Sequence, residues 1–227
     1  LSDQVTIIPA TFGALASGLE GQGRMEEPEN ILRFVQEFFK QTATEPTNKK
    51  RLLITAGPTL EHLDPVRYIS NHSSGAMGFA LAKAALMKGF EVLMIAGPSQ
   101  YELQHPNFQR IDVQSAEQML TAVQAHWSDM DLGIFTAAVA DYRAANVAAE
   151  KIKKSATELR LDLVKNPDIL AWAAANRTQQ EIVGFALETN NQEENALKKL
   201  HDKNLDYIVL NSPQEGVSGF GSETNII

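Results

Sequence analysis

From residue 51 onward the chain alternates between two hydrophobic rhythms. "RLLITAG" (51–57) is a short apolar run ending in glycine and predicts a buried strand. "EVLMIAG" (91–97), "LGIFTAAVA" (132–140), "EIVGFALE" (181–188) and "LDYIVLN" (205–211) predict further strands. "LRLDLV" (159–164) alternates apolar and polar positions, the pattern of a half-exposed strand. Between these runs the apolar spacing turns helical. "GFALAKAALMKG" (78–89) predicts a helix that stops at Gly89, and "SAEQMLTAVQAHW" (115–127) one with Ser115 as N-cap. "PDILAWAAAN" (167–176) predicts a helix with proline in its first turn, and "QEENALKKLHDKN" (192–204) an amphipathic one. Strands alternating with helices imply an α/β fold, a Rossmann-like three-layer sandwich around a mostly parallel sheet. Such sheets bind ligands at the carboxyl ends of their strands, so the informative loops follow Gly57, Gly97, Ala140, Glu188 and Asn211.

The first fifty residues do not share this rhythm. "ENILRFVQEFFK" (29–40) has helical spacing after Pro28, and "QTATEPTNKK" (41–50) is polar and reads as a linker. Residues 1–40 are too short to enclose a core and read as the tail of a larger domain, with the main domain at 51–227. Composition narrows the function classes. The chain has 227 residues, 44% of them hydrophobic, which suffices for a sizeable core. No run reaches the ~18 apolar residues of a membrane helix, and the first residues lack the basic start and apolar stretch of a signal peptide. The absence of cysteine excludes disulfides and thiolate chemistry, and fits a cytoplasmic location. A net charge of −8 argues against nucleic acid as a partner. A phosphate ligand would need cations gathered locally.

Two segments carry candidate chemistry. "ISNHSSGAMGF" (69–79) places Asn71, Ser73, Ser74 and Gly75 at the mouth of a helix expected to start near Ser73 or Ser74. Unpaired N–H groups, the positive dipole end and small residues make an anion site, to be weighed against an ordinary serine N-cap. Asn71 can both donate and accept, which suits a carboxyl group whose charge changes; His72 receives no role. Just upstream, Arg67 either holds a phosphate or pairs with Asp64, while Glu61, His62 and Asp64 read as a solvated turn rather than a metal site. "TAAVADYRAANVAAEKIKK" (136–154) places Asp141 past a strand end, where a carboxylate can hold a ribose hydroxyl or magnesium, or simply cap a turn. Lys151, Lys153 and Lys154 follow, either as a phosphate clamp or as a solvated face. Phe185 can stack on a base or pack in the core, and Lys199 and Lys203 share one helix face. Neither a Walker A loop nor a G-x-G-x-x-G fingerprint is present, since "GAMG" supplies only G-x-x-G.

The four ordered segments "TAGPTLEHLDPVRYISNHSSGAMGFALA", "AAVADYRAANVAAEKIKK", "VKNPDIL" and "GFALETNN" resemble bacterial phosphopantothenoylcysteine synthetase, from about Arg51 to the end. "GRMEEPENI" resembles the end of the flavin-dependent decarboxylase that precedes the synthetase in the bifunctional bacterial protein. The resemblance implies a ligase of coenzyme A biosynthesis that joins 4′-phosphopantothenate to L-cysteine, using CTP and magnesium. It implies Lys151 on the triphosphate and Asn71 on the activated acyl group as the catalytic pair. It implies a nucleotide site formed by Phe135, Thr136, Ala137, Asp141, Pro167, Asp168, Ile169, Leu170, Phe185, Lys199 and Lys203. It implies that the polar mouth, with Ser73, Ser74, Gly75 and Arg67, receives phosphopantothenate. A homodimer through the synthetase domain is implied, with a higher oligomer where the decarboxylase is attached. It implies FMN only for the decarboxylase, whose catalytic histidine region and flavin core are expected upstream. With Ser17 where that family usually has cysteine, decarboxylation is not expected of this chain. The end, "GFGSETNII", departs from the family pattern, which implies a further strand and helix. The alternative reading from the sheet alone is an NAD(P)-dependent oxidoreductase.

Overall fold

The computed structural model describes residues 11–14, 20–24, 26–34, 49–153, 159–187 and 190–211. Ser17, Lys154, most of the 41–50 linker and the 212–227 end lie outside the described residues. The chain divides into two units, Leu1–Asn48 and Lys49–Ile227. In the first, β1 (Thr11–Ala14) pairs antiparallel with β2 (Glu20–Arg24), and a helix α1 spans 28–34, the described part of the helix expected at 29–40.

The second unit is built on six strands: β3 (Arg51–Ala56), β6 (Glu91–Ala96), β7 (Phe108–Asp112), β8 (Leu132–Phe135), β11 (Glu181–Leu187) and β12 (Tyr207–Asn211). Every pairing in this sheet is parallel, in the order β12-β11-β8-β3-β6-β7. Both faces are covered, as a parallel sheet requires. On one face Leu52, Ile54 and Ala56 pack with Val92, Met94 and Ala96 under Phe79, Ala82 and Leu86 of α2 (Ala76–Met87). On the other, Leu53, Leu93, Ile95 and Ile182 meet Met119 and Val123 of α3 (Ala116–His126) and Ile169, Leu170 and Ala173 of α4 (Ile169–Ala175). Leu200 of α5 (Gln192–Asp202) packs against the same cluster. Trp127 closes it, its ring edge-on to Phe135 and its indole N–H donated to the Ala173 carbonyl at 3.1 Å. The chain winds outward from β3 in both directions, so the carboxyl ends of β3 and β8 form the topological switch point where ligands lodge.

Several boundaries differ from the sequence reading. The sixth place in the sheet belongs to β7, a half-polar edge strand, not to 159–164. From that region only β10 (Leu163–Lys165) forms, exposed throughout and paired antiparallel with β9 (Tyr142–Ala144). The 132–140 strand stops at Phe135, and α4 begins at Ile169, so Pro167 precedes the helix and Asp168 is its N-cap. Ser115 caps α3 in a full capping box with Gln118, as its spacing predicts. The serines do not cap α2: Gly75 does, at φ 83°, a conformation glycine adopts at little cost. Ser73 and Ser74 instead accept from the N–H groups of Gly75 and Ala76, both at 3.3 Å. Gly97, after β6, lies so close to the 57–59 turn that a Cβ would sit 1.7 Å from the Pro58 carbonyl oxygen.

A small hairpin, β4 (Leu60–His62) and β5 (Tyr68–Ser70), follows β3. Glu61 and Asp64 are not in a solvated turn: both are buried, at 3% and 0% exposure. The Glu61 carboxylate accepts the Ala116 N–H at 2.9 Å, at the start of α3. Asp64 accepts N–H groups from Val66, Arg67 and Ile152 and an ion pair from Arg67 at 2.7 Å. Burial alone would raise its pKa; the backbone bonds from Val66, Ile152 and Arg67, with the Arg67 side chain, outweigh it and hold it at about 2.

Gly97→Ala lowers stability by about 3 kcal/mol, measured by denaturant unfolding; a midpoint equal to wild type contradicts the close approach. Because the folded pKa of Asp64 lies below the ordinary 3.8, its contribution is full above that value and lost as pH falls through about 2. The urea midpoint of Asp64→Asn therefore declines less steeply than that of wild type between those pH values. Equal slopes contradict the assignment.

Candidate functional site

Past the ends of β3 and β8 the two chains keep running side by side, although the sheet has stopped. Thr136 N donates to the Thr55 carbonyl at 3.1 Å, and Ala137 N to the Thr55 hydroxyl at 3.4 Å. Ala138 N donates to Gly57 O at 2.9 Å, Thr59 N to Ala138 O at 3.4 Å, and Ala140 N to the Thr59 hydroxyl at 3.0 Å. Thr55 and Thr59 are buried, at 2% and 0% exposure, so their hydroxyls serve as fixed pegs for the 136–140 backbone. The outward carbonyls are also taken. Asn71 donates its amide to Val139 O at 3.0 Å, and Asn166 donates to Ala140 O at 2.8 Å. The segment 136–141 is thus a rigid spine held from three loops.

A cavity lies on each side of this spine. The first, about 590 Å³, contains Phe135, Ala137, Asp141, Pro167, Asp168, Ile169, Leu170, Phe185, Lys199 and Lys203. Of the residues expected at the nucleotide, Thr136 and Lys151 alone are not among its lining. The second, about 650 Å³, contains Asn71, Ser73, Ser74, Gly75 and Thr136, with His72 beside them. The two meet along Ala137, Val139, Asp141, Phe185 and Lys199.

Each cavity has a distinct character. The second faces the start of α2, whose first turn carries no acidic side chain to offset the helix dipole. In the first, Lys199 donates to the Phe185 carbonyl and Lys203 to the Asp168 carboxylate, each at 2.7 Å. Asp168 also accepts the Ala171 N–H at 2.9 Å. Burial pushes the Asp168 carboxyl up, but the Lys203 and Ala171 bonds and the charges of Lys203 and Lys199 bring it below its usual value. Both ammonium groups are therefore oriented in advance by protein acceptors. Lys165, Tyr142, Thr55 and Asn166 also line the first cavity. Lys165 and Asn166 belong to the "VKNPDIL" segment, where the sequence places Asn166 at a helix start and gives Lys165 no signal.

Arg67 and Lys151 line neither cavity. Arg67 makes the pair with Asp64 that was one of its two readings: both its Nε (3.0 Å) and its Nη2 (2.7 Å) face that carboxylate, and Nη2 also reaches Ile152 O. Lys151 and Lys153 are exposed on either side of Ile152. Among the described residues no group of three or more His, Asp or Glu side chains gathers as for a metal, and no helix is long and apolar enough to cross a membrane.

A family model described as the DNA/pantothenate metabolism flavoprotein C-terminal domain matches residues 47–227. The chain is 48% identical to the coenzyme A biosynthesis bifunctional protein CoaBC of Escherichia coli strain K12 over 95% of its length and 53% of that protein. It is 46% identical to a cysteine/cysteine sulfinic acid decarboxylase of an unknown prokaryotic organism, over 97% of the chain and 62% of that protein. The chain therefore spans between half and two thirds of the curated relatives it matches. A crystal structure of the C-terminal domain of CoaBC superposes with a TM-score of 0.62 at 41% identity, covering 72% of this chain and 76% of that one. With the parallel sheet, its switch-point cavities and a model match across most of its length, this chain belongs to the DNA/pantothenate metabolism flavoprotein C-terminal domain family.

Proposed function

We propose that the Lys49–Ile227 unit is a CTP-dependent phosphopantothenate–cysteine ligase of coenzyme A biosynthesis. The observation that carries the reading is the pair of cavities sharing one wall, one lined by preset lysines and the other by a helix start. A reaction joining a nucleotide to an acid needs this arrangement, because the two must meet at a single point. CTP lies in the first cavity, with Phe185 and the Pro167–Leu170 stretch around the nucleoside and Lys199 and Lys203 beside it. The phosphate end of 4′-phosphopantothenate lies against Ser73, Ser74 and Gly75. The CoaBC relative supports this reading through its name and its identity.

In the first step the substrate carboxylate attacks the α-phosphorus of CTP, forming an acyl-cytidylate and releasing pyrophosphate. In the second, the cysteine amine attacks the acyl carbon, CMP leaves, and the amide forms. The acid needs activation because its own leaving oxygen would carry full charge. Fixed donors and cations stabilise the shifting phosphate charge better than mobile ones. Lys151 supplies a cation to the triphosphate, and Asn71, fastened to the spine at Val139, keeps its amide group beside the acyl centre. Magnesium would enter with the triphosphate and neutralise it; Asp141 is the carboxylate common to both cavities and would share it with phosphate oxygens. The proposal includes a homodimer, with the exposed apolar side chains Val66, Tyr68, Tyr142 and Leu163 offering surface for a second copy. The oxidoreductase alternative is not favoured: the family match and the loop after β3, without a dinucleotide fingerprint, both speak against it.

The test is pyrophosphate release with CTP, magnesium and phosphopantothenate, followed by amide formation on adding cysteine, with ATP run in parallel. Wild type responds to CTP, and Lys151→Gln loses at least about 100-fold in release, the size seen when a positioned charge donor is removed. Near-normal release by the variant removes Lys151 from the mechanism. A wild-type protein inert to CTP removes the function.

A further inference from the structure

Asp64 divides its two carboxylate oxygens between two tasks. Oδ1 accepts from Val66 N at 2.8 Å and Arg67 N at 2.9 Å, which closes the local turn. That task needs no second oxygen. Oδ2 nevertheless accepts from Ile152 N at 3.1 Å and from Arg67 Nε at 3.0 Å. Arg67 Nη2 then donates to Ile152 O at 2.7 Å. Both backbone polar groups of one distant residue, 88 positions along from Asp64, are thereby gripped by a single acid–base pair. Asp64 is fully buried, which makes the grip costly to open. Ile152 is the residue between Lys151 and Lys153, both exposed. The neighbouring tethers lie further back, where Ala148 N donates to Leu63 O and Ala145 N to Asp162 O.

We propose that Asp64 and Arg67 are positioning residues that hold the backbone at Ile152 and so set where Lys151 is presented; this rests on the ligase reading, in which Lys151 meets the triphosphate. The pair touches no substrate. It acts through the peptide next to the lysine, and Arg67 is committed to that task rather than to phosphate. Asp64→Asn preserves an oxygen for the turn, but turns an N–H toward the Ile152 N–H and the guanidinium, where only an acceptor fits. Arg67→Lys keeps the charge beside Asp64 and loses the planar fork that reaches two acceptors at once.

The experiment combines a readout that needs no nucleotide with one that does. Hydrogen exchange at the Ile152 amide is compared in wild type and Asp64→Asn. CTP affinity is measured by calorimetry in wild type, Asp64→Asn, Lys151→Ala and the double variant. Exchange at Ile152 accelerates by about tenfold or more in Asp64→Asn while the β3 and β6 amides stay protected. CTP binds about tenfold more weakly to each single variant, and the double variant is no weaker than Lys151→Ala, because the two changes remove one interaction. A general structural defect would instead add to the Lys151→Ala loss, and that additivity overturns the proposal. Unchanged exchange at Ile152 overturns it as well. Should Asp64→Asn fail to fold, Arg67→Lys gives the same two readouts with the same expected direction. Wild type that ignores CTP defeats the ligase reading, and with it the role for Lys151. That failure is told apart from failure of the grip because exchange is read without nucleotide.

Discussion

Everything around the site depends on a hydrogen-bonded seam that outlives the sheet. The β3 and β8 strands stop bonding as strands at Ala56 and Phe135, yet the chains stay parallel through Thr55, Gly57 and Thr59 on one side and 136–140 on the other. The extension combines backbone bonds with two buried hydroxyls, which take the Ala137 and Ala140 N–H groups. A buried N–H without a partner costs about 1–3 kcal/mol, so the seam has one low-energy arrangement and not several. The close approach of Gly97 to Pro58, and of Gly75 to Gly57, locks the loops after β6 and before α2 against the same turn. Both cavities inherit their shape from this shared wall.

The seam also bears on the anion site proposed for an acidic protein. A net charge of −8 repels a polyphosphate at long range. Apart from Asp141, which lines both cavities, the acids near the site are occupied. Asp168 is tied to Lys203 and to the Ala171 amide of α4, Glu61 to the start of α3, and Asp64 to Arg67 and Ile152. Beside Asp141, the cavities are lined by the start of α2, Asn71, Lys199 and Lys203, whose donors are already oriented by protein acceptors. Preset donors of this kind need little reorganisation when charge moves.

How much of this was legible depended on where each signal came from. Buried parallel strands such as "RLLITA" and "EVLMIA" announce themselves, because burial on both faces leaves continuous apolar runs. The edge strand β7 does not, since half its positions meet solvent. The "LRLDLV" alternation misled because β10 pairs with β9 outside the main sheet, with every β10 residue exposed. Ser115 was readable as a cap from local spacing, whereas Gly75 displaced the serines at α2 because the position takes φ 83° and a Cβ there would crowd Ser99 and Gly57 at 3.1–3.4 Å. Most nucleotide-side positions came from resemblance, and the structure brings them to one cavity. The pegs Thr55 and Thr59, and the grip of Asp64 on Ile152, are contacts between residues some 80 or more positions apart, which no single stretch can reveal.

The central claim is that nucleotide and acid meet across the 136–141 spine. A structure of the protein with bound CTP tests it most directly. The account places the α-phosphate against the spine near Asp141, with the nucleoside toward Phe185 and Lys203. Triphosphate density elsewhere on the molecule, with both cavities empty, would contradict it.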